Sequence, residues 1–251
     1  MEYSIVIPAY NEADKITATL TQVVSFMRTF SKSSDFEVLV VNDGSKDNTA
    51  KMVSNYIINN PEVKLIDNPH KGKGPTVYKG IMEANGTYIY MADADLSTPI
   101  SEIKKLLLWI KDHNFDIVIA SREGTGAQRL NEPLYRHIMG RGFNFIVQTL
   151  ALPGIKDSQC GFKLYKAAAA KNVFSKLKVY GESAPVVDKA FLGAFDVEML
   201  YVAKKMGYKV KEVPVVWTHV KTTRINPIVD SIKMFKDVLL VRLNDLKGMY
   251  K

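Results

Sequence analysis

A chain of 251 residues that is 47% hydrophobic can bury a substantial core and fits one large α/β domain. Its longest apolar stretches, 143–152 and 238–243, are broken by Asn, Gln or Arg, well short of the roughly 18 to 20 residues of a bilayer span. No basic-then-apolar leader precedes Tyr3 to Ile7, so a cytoplasmic location is expected.

The single cysteine, Cys160, excludes an intramolecular disulfide and reads as a small buried hydrophobe. The net charge of +8 gathers late in the chain, with eleven Lys or Arg against four Asp or Glu between Lys204 and Lys251. Such a tail suits nucleic acid, an anionic membrane surface or a phosphorylated substrate, and charge alone does not choose among them.

In chain order, Ile5 to Ile7, Val38 to Val41, Val63 to Ile66, Tyr88 to Ala92 and Ile117 to Ala120 read as strands. Helical spacings fall between them, with Ile16, Leu20, Val23, Val24 and Met27 after the first and Leu106, Leu107 and Ile110 before the fifth. Lys71-Gly72-Lys73-Gly74 opens another helix. Thr98 and Pro99 predict a helix start, with the hydroxyl as N-cap and proline at the first helical position. This alternation predicts a mostly parallel sheet flanked by helices.

Past residue 121 the alternation fails. Arg122, Arg129, Arg136 and Arg141 punctuate a stretch that ends in an apolar helix, Phe143 to Leu152. A strand, Gly161 to Tyr165, follows the turn Asp157-Ser158-Gln159-Cys160. A helix over Phe195 to Met206, a strand near Val210 to Val216 and a long helix from Asn226-Pro227 complete the chain. With no repeats or low-complexity linker, residues 1–251 read as one domain.

Ligands of open parallel sheets bind beyond the carboxyl ends of the strands, which directs attention to the turns. Asp93 and Asp95 flank Ala94 directly after an apolar strand, and two such carboxylates are expensive unless a cation lies between them. Hard oxygens of this kind suit Mg²⁺ or Mn²⁺ bridging to a pyrophosphate, with Ser97 near enough to add an oxygen. Asp43-Gly44-Ser45 offers a carboxylate to a base edge or is an ordinary turn. Lys73, at a helix N-terminus, can meet phosphates, although the stretch is not a P-loop and no Gly-x-Gly-x-x-Gly fingerprint is present.

With these turns in this order, the chain resembles the inverting glycosyltransferases of family two, which have the A-type, Rossmann-like fold. Asn68 to Gly74, Asp157 to Lys163, Phe195-Asp196-Val197-Glu198 and Trp217-Thr218 narrow the resemblance to dolichyl-phosphate glucosyltransferases. Two departures stand out: an N-terminal anchor like that of eukaryotic members is not expected, and Leu96-Ser97-Thr98-Pro99 replaces their usual continuation of the metal motif.

The resemblance implies transfer of a hexose, glucose, from a UDP-linked nucleotide sugar to a polyprenyl or dolichyl phosphate with inversion. It implies that Pro8, Ala9, Tyr10, Asn11, Glu12, Asp43, Lys73, Asp93, Ala94 and Asp95 hold the donor. Arg122, Asp157 and Gln159 would then line the reaction centre, and Arg122, Arg141, Lys221 and Arg224 the acceptor phosphate. Residues 1–120 would form the donor half and 121–251 the acceptor half, which includes a basic C-terminal helix.

Asp196 and Glu198 read either as catalysts or as acids favoured by a helix dipole, and Trp217 and His219 as packing residues. A GDP-mannose donor, a soluble glycan hydroxyl as acceptor and a nucleotidyltransferase remain as alternatives. Nucleic acid is not expected, because no aromatic-interleaved RNA motif accompanies the charge. The basic tail, with Phe143, Phe145 and Ile146, is expected to dock peripherally on the cytoplasmic face of an anionic membrane.

Overall fold

All five strands expected before residue 121 form in the computed structural model, which describes residues 1–31, 35–187, 193–220 and 227–250. They are β1 (Tyr3–Ala9), β2 (Phe36–Asp43), β3 (Val63–Asn68), β4 (Tyr88–Ala92) and β5 (Ile117–Ser121). Strands covered on both faces need continuous apolar runs rather than alternation, and β2 is buried at every position. Between them run α1 (Ile16–Phe30), α2 (Thr49–Ile57), α3 (Lys73–Glu83) and α4 (Ile103–Lys111).

The later elements are β6 (Gln128–Leu130), α5 (Leu134–Leu150), β7 (Phe162–Lys166) and α6 (Ala167–Ser175). After them come α7 (Phe195–Lys205), β8 (Val210–Pro214), β9 (Val216–Thr218) and α8 (Pro227–Leu246). The main sheet has seven strands in the order β3-β2-β1-β4-β7-β5-β8, and β6 pairs with β9 separately. Within the main sheet β7 alone runs antiparallel, hydrogen-bonded to β4 on one side and β5 on the other.

Alternate residues of the strands feed two cores. Val6, Val41, Met91 and Ile119 pack with Val77 of α3, Val173 of α6 and Val241 of α8. Ile5, Val40, Tyr90 and Val118 face the opposite side, against Leu20 of α1, Val53 of α2 and Leu106 of α4. Among the described residues, no helix is long and apolar enough to cross a membrane.

Three local expectations are corrected. Thr98 does not cap a helix: its hydroxyl lies 3.7 Å from Cys160 Sγ, and a 3₁₀ turn over Ile100–Glu102 precedes α4. The expected strand near Val210 to Val216 is split after Pro214, so β8 joins the main sheet and β9 leaves for β6. The helix expected from Phe143 begins nine residues earlier, at Leu134. Gly140 and Gly142 lie within it and conceal its first turns, because glycine is a poor helix former.

Candidate active site

Strand order reverses at β1: β2 and β3 lie to one side and β4 to the other, so the turns after β1 and β4 diverge and open a crevice. The turns after β2, β3 and β5 reach the same edge. Because β7 runs antiparallel, its leading turn 157–161 arrives there as well. The resulting cleft has a volume of about 420 Å³. Every expected site residue within the described chain lines it except Asn11. Lys221 and Arg224 lie outside the described residues.

Asn11 instead ties the rim together. It adopts φ +53°, a left-handed conformation that Asn tolerates better than most residues. Its N–H donates to Ser45 Oγ at 3.0 Å, and its Oδ1 accepts from Lys46 N at 2.7 Å.

Asp43 lines the cleft and its carboxylate is also built into the wall. Oδ1 accepts from Lys71 N at 2.9 Å, while Oδ2 accepts from Gly72 N at 3.0 Å and lies 2.7 Å from His70 Nδ1. It thereby holds the turn that starts α3. The His70 ring stacks on Tyr10, with centroids 4.1 Å apart, and its buried Nε2 has no partner. Sequence reasoning missed His70 because a lone histidine in a turn carries no distinctive signal.

At the end of β4 the chain turns sharply, with Leu96 at φ +45°, which costs a non-glycine residue about 1 to 3 kcal/mol and clusters at functional sites. Asp95 Oδ1 accepts from Ser97 N at 2.9 Å and from Ser97 Oγ at 2.8 Å, so the serine steadies that carboxylate. Asp93 Oδ1 pairs with Lys73 Nζ at 2.5 Å. A Cβ at Gly161 would stand 1.8 Å from Asp93 Oδ2, so only glycine lets the backbone close on this carboxylate. Burial raises the Asp93 pKa, an effect that the Lys73 charge opposes.

This donor set fits a hard divalent cation. Mg²⁺ is commonly held by one or two carboxylates, with water and substrate phosphates completing its shell. Among the described residues, no third His, Cys, Asp or Glu joins the two aspartates, so a diphosphate would supply the remaining oxygens.

Opposite the acids stands Arg122. Its Nε and Nη2 donate to the two oxygens of Asp157, each at 2.8 Å, and its backbone N–H donates to Oδ2. Its guanidinium lies 5.2 Å from the centroid of the buried Trp217 ring. Burial pushes the Asp157 carboxyl up, but Arg122 more than reverses that and holds it at about 2.

Arg129 is taken up by Glu123, Glu132 and the Arg122 carbonyl, and Arg141 by Glu123 at 3.4 Å. The side chain of Arg136, also on the cleft wall, has no ion-pair or hydrogen-bond partner among the described residues. Burial and then the Arg122 charge push its pKa below the usual arginine range, against the opposing pull of Glu132. Asn144, buried on the same helix, leaves both side-chain polar atoms unpaired.

Apart from Asp93 and Asp95, the carboxylates that line the cleft have partners. Glu132 serves Arg129, Asp157 serves Arg122, and Glu12 and Asp230 also have partners. Behind the cleft, Lys163 is wholly buried and bonds Asp196 Oδ1 and the Cys160 carbonyl, each at 2.5 Å. Glu198 accepts from Lys178 N, Val179 N, Tyr180 N and the Tyr250 hydroxyl at 2.6 to 3.0 Å. These acids therefore brace α7 and its neighbours. Lys163 eluded the sequence reading because nothing local distinguishes a buried lysine from an exposed one.

Comparison with known proteins agrees with this geometry. Residues 4–174 match the Glycosyl transferase family 2 description. A dolichyl-phosphate beta-glucosyltransferase of Dictyostelium discoideum is 34% identical over 99% of this chain and 76% of its own length. A glucosyl-3-phosphoglycerate synthase from Mycobacterium tuberculosis, solved with Mn²⁺, UDP and glucosyl-3-phosphoglycerate, superposes with a TM-score of 0.64 at 16% identity, covering 98% of this chain and 80% of that one. A mannosyltransferase from Pyrobaculum calidifontis, solved with GDP-Man and Mn²⁺, gives a TM-score of 0.58 at 17% identity over 89% of this chain. The match spans 58% of the mannosyltransferase, less than two thirds of its length.

Proposed function

The chain belongs to glycosyl transferase family 2, and from that premise we propose that it transfers glucose, with inversion, from a nucleoside-diphosphate sugar to a polyprenyl or dolichyl phosphate. The observation that carries this reading is that, within one cleft, the carboxylates other than Asp93 and Asp95 are paired, while the Arg136 guanidinium has no partner among the described residues. A hydroxyl acceptor needs a free base to take its proton. A phosphate monoester, with a second pKa near 6, already presents anionic oxygen at neutral pH. Cations that position it are then sufficient.

In this reading the donor lies along the turns after β1, β2 and β4, and UDP is its nucleotide. Asp93 and Asp95 hold Mg²⁺ or Mn²⁺, which when bound stabilises the charge on the departing diphosphate. Arg136 and Arg141 receive the acceptor phosphate, while Arg122, locked by Asp157, presents its remaining guanidinium N–H groups at a fixed angle. A phosphate oxygen forms the new bond to the anomeric carbon as the bond to the nucleotide breaks on the opposite face, and no proton moves. Residues 1–120 carry the donor side of one domain and 121–251 the acceptor side, with β7 crossing between them.

The acceptor's lipid tail calls for a membrane, and α5 and α8, which both contribute to the cleft wall, also carry exposed apolar side chains. Leu134 and Phe145 of α5 are 72% and 71% exposed, and Leu246 of α8 is 77% exposed. Ile138, Leu239 and Leu243 extend the same kind of surface, with Lys236 and Lys247 exposed beside it. Of the three residues expected to dock, Phe145 is open, whereas Phe143 and Ile146 are half-buried. The reading is therefore a peripheral enzyme seated on an anionic leaflet through α5 and α8.

The test is product analysis with radiolabelled UDP-glucose, UDP-GlcNAc and GDP-mannose, a short polyprenyl phosphate and Mn²⁺. Labelled glucosyl phosphopolyprenol from UDP-glucose is the expected result. Transfer only to a soluble glycan would refute the acceptor assignment.

A further inference from the structure

Behind the cleft, opposite charges alternate from Asp95 and Asp93 through Lys73 and Asp196 to Lys163. Lys73 is the first residue of α3 and follows Gly72, whose φ of +87° is readily adopted only by glycine. The start of α3 is fixed sideways, because a Cβ on Gly74 would meet Tyr180 at 2.6 Å and Phe195 at 2.7 Å. The ammonium reaches Asp93 Oδ1 at 2.5 Å, lies 6.0 Å from the centroid of the Phe195 ring and feels the Asp196 carboxylate behind it. Asp196 is itself anchored by the buried ammonium of Lys163.

The cation on the first carboxylate of the acid pair is thus supplied by the protein. We propose that Lys73 is a resident counter-ion of Asp93 that competes with the divalent metal, so that metal and nucleoside diphosphate enter together and each binds poorly alone. The proposal rests on the metal assignment made above.

A dication held by Asp93 would have to share that carboxylate with the ammonium already on Oδ1. The diphosphate removes that conflict: its negative oxygens draw the ammonium from Asp93 to themselves and complete the metal's shell. Lys73 therefore changes partner from carboxylate to diphosphate, and each ligand makes room for the other. Such coupling is reciprocal by linkage.

Mn²⁺ binding to the full chain, followed by electron paramagnetic resonance with and without UDP, reads this without turnover. Without UDP, K73Q is expected to bind Mn²⁺ about tenfold or more tighter than wild type, within the range of coupled sites. K73R, which keeps the charge, should behave as wild type does. UDP should tighten Mn²⁺ about tenfold or more in wild type and far less in K73Q. K73M serves as a second neutral variant, with a melting curve to show that each protein is folded.

Wild-type coupling to UDP, with neutral variants that bind Mn²⁺ no tighter than wild type, would overturn the counter-ion role while leaving the metal site standing. Absence of saturable Mn²⁺ binding in every protein, even with UDP, would overturn both.

Discussion

Replacing Asp157 by Asn keeps the side chain's shape and removes one charge from the most strongly tied pair in the cleft. Asp157 takes three hydrogen bonds from Arg122 and another from Gln159 N at 3.3 Å. Its carboxyl is held at about 2 against an ordinary 3.8, a shift worth about 2 to 3 kcal/mol at neutral pH. Breaking a buried ion pair sets an upper figure of about 3 to 5 kcal/mol.

Because the folded-state pKa is depressed, this stabilisation is fully present above about pH 4 and is lost as pH falls through about 2. Urea denaturation of wild type and D157N from pH 8 to pH 2 measures the difference. D157N should be less stable by about 2 to 3 kcal/mol at pH 7, and the gap should narrow below about pH 4. The acceptor KM should also rise, since Arg122 loses its lock. Equal stability at pH 7, or a gap that persists unchanged to pH 2, would refute the argument.

Three further outcomes are expected. Arg136→Ala should raise the acceptor KM about 10- to 100-fold, as loss of a charged hydrogen bond does, and leave donor affinity by titration unchanged. Glu198→Gln replaces one acceptor oxygen with a donor against the N–H groups of residues 178–180, costing about 3 kcal/mol and about 6 to 12 °C of Tm; raising the pH should restore no activity. In flotation with anionic liposomes, Phe145→Ser combined with Leu243→Ser should reduce recovery at low salt, and wild type should detach at high salt; recovery unaffected by the double change would count against the α5 and α8 face.

The donor side was legible because its signals are local. Runs such as Val38 to Val41, short, apolar and mostly β-branched, suit buried strands, and the acids at Asp93 and Asp95 declare themselves by following one. Less legible were features set by distant partners. Nothing within Phe162 to Lys166 states which way that strand runs; its direction follows from its place between β4 and β5.

Arg129 and Arg136 look alike in a row of arginines, and they differ only because Glu123 and Glu132 come to the first and not to the second. Thr98 has the chemistry of a cap and is drawn away to Cys160. In each case a tertiary neighbour outweighed a local propensity.

The antiparallel strand also bears on how the sheet can be assembled from a growing chain. In the main sheet β5 has β7 and β8 as its neighbours, so the segment around residue 120 has no sheet partner in the part of the chain made before it. A nascent protein can zip β1 to β4 together early but must hold β5 in waiting until residues 162–166 emerge. Its unpaired backbone is exposed for that interval, the situation in which multi-element chains misassociate. The same insertion brings Asp157 to Arg122, so the acceptor side of the cleft comes into being in the step that closes the sheet, and a chain halted near residue 120 would have the acids of the donor site and no completed pocket beside them.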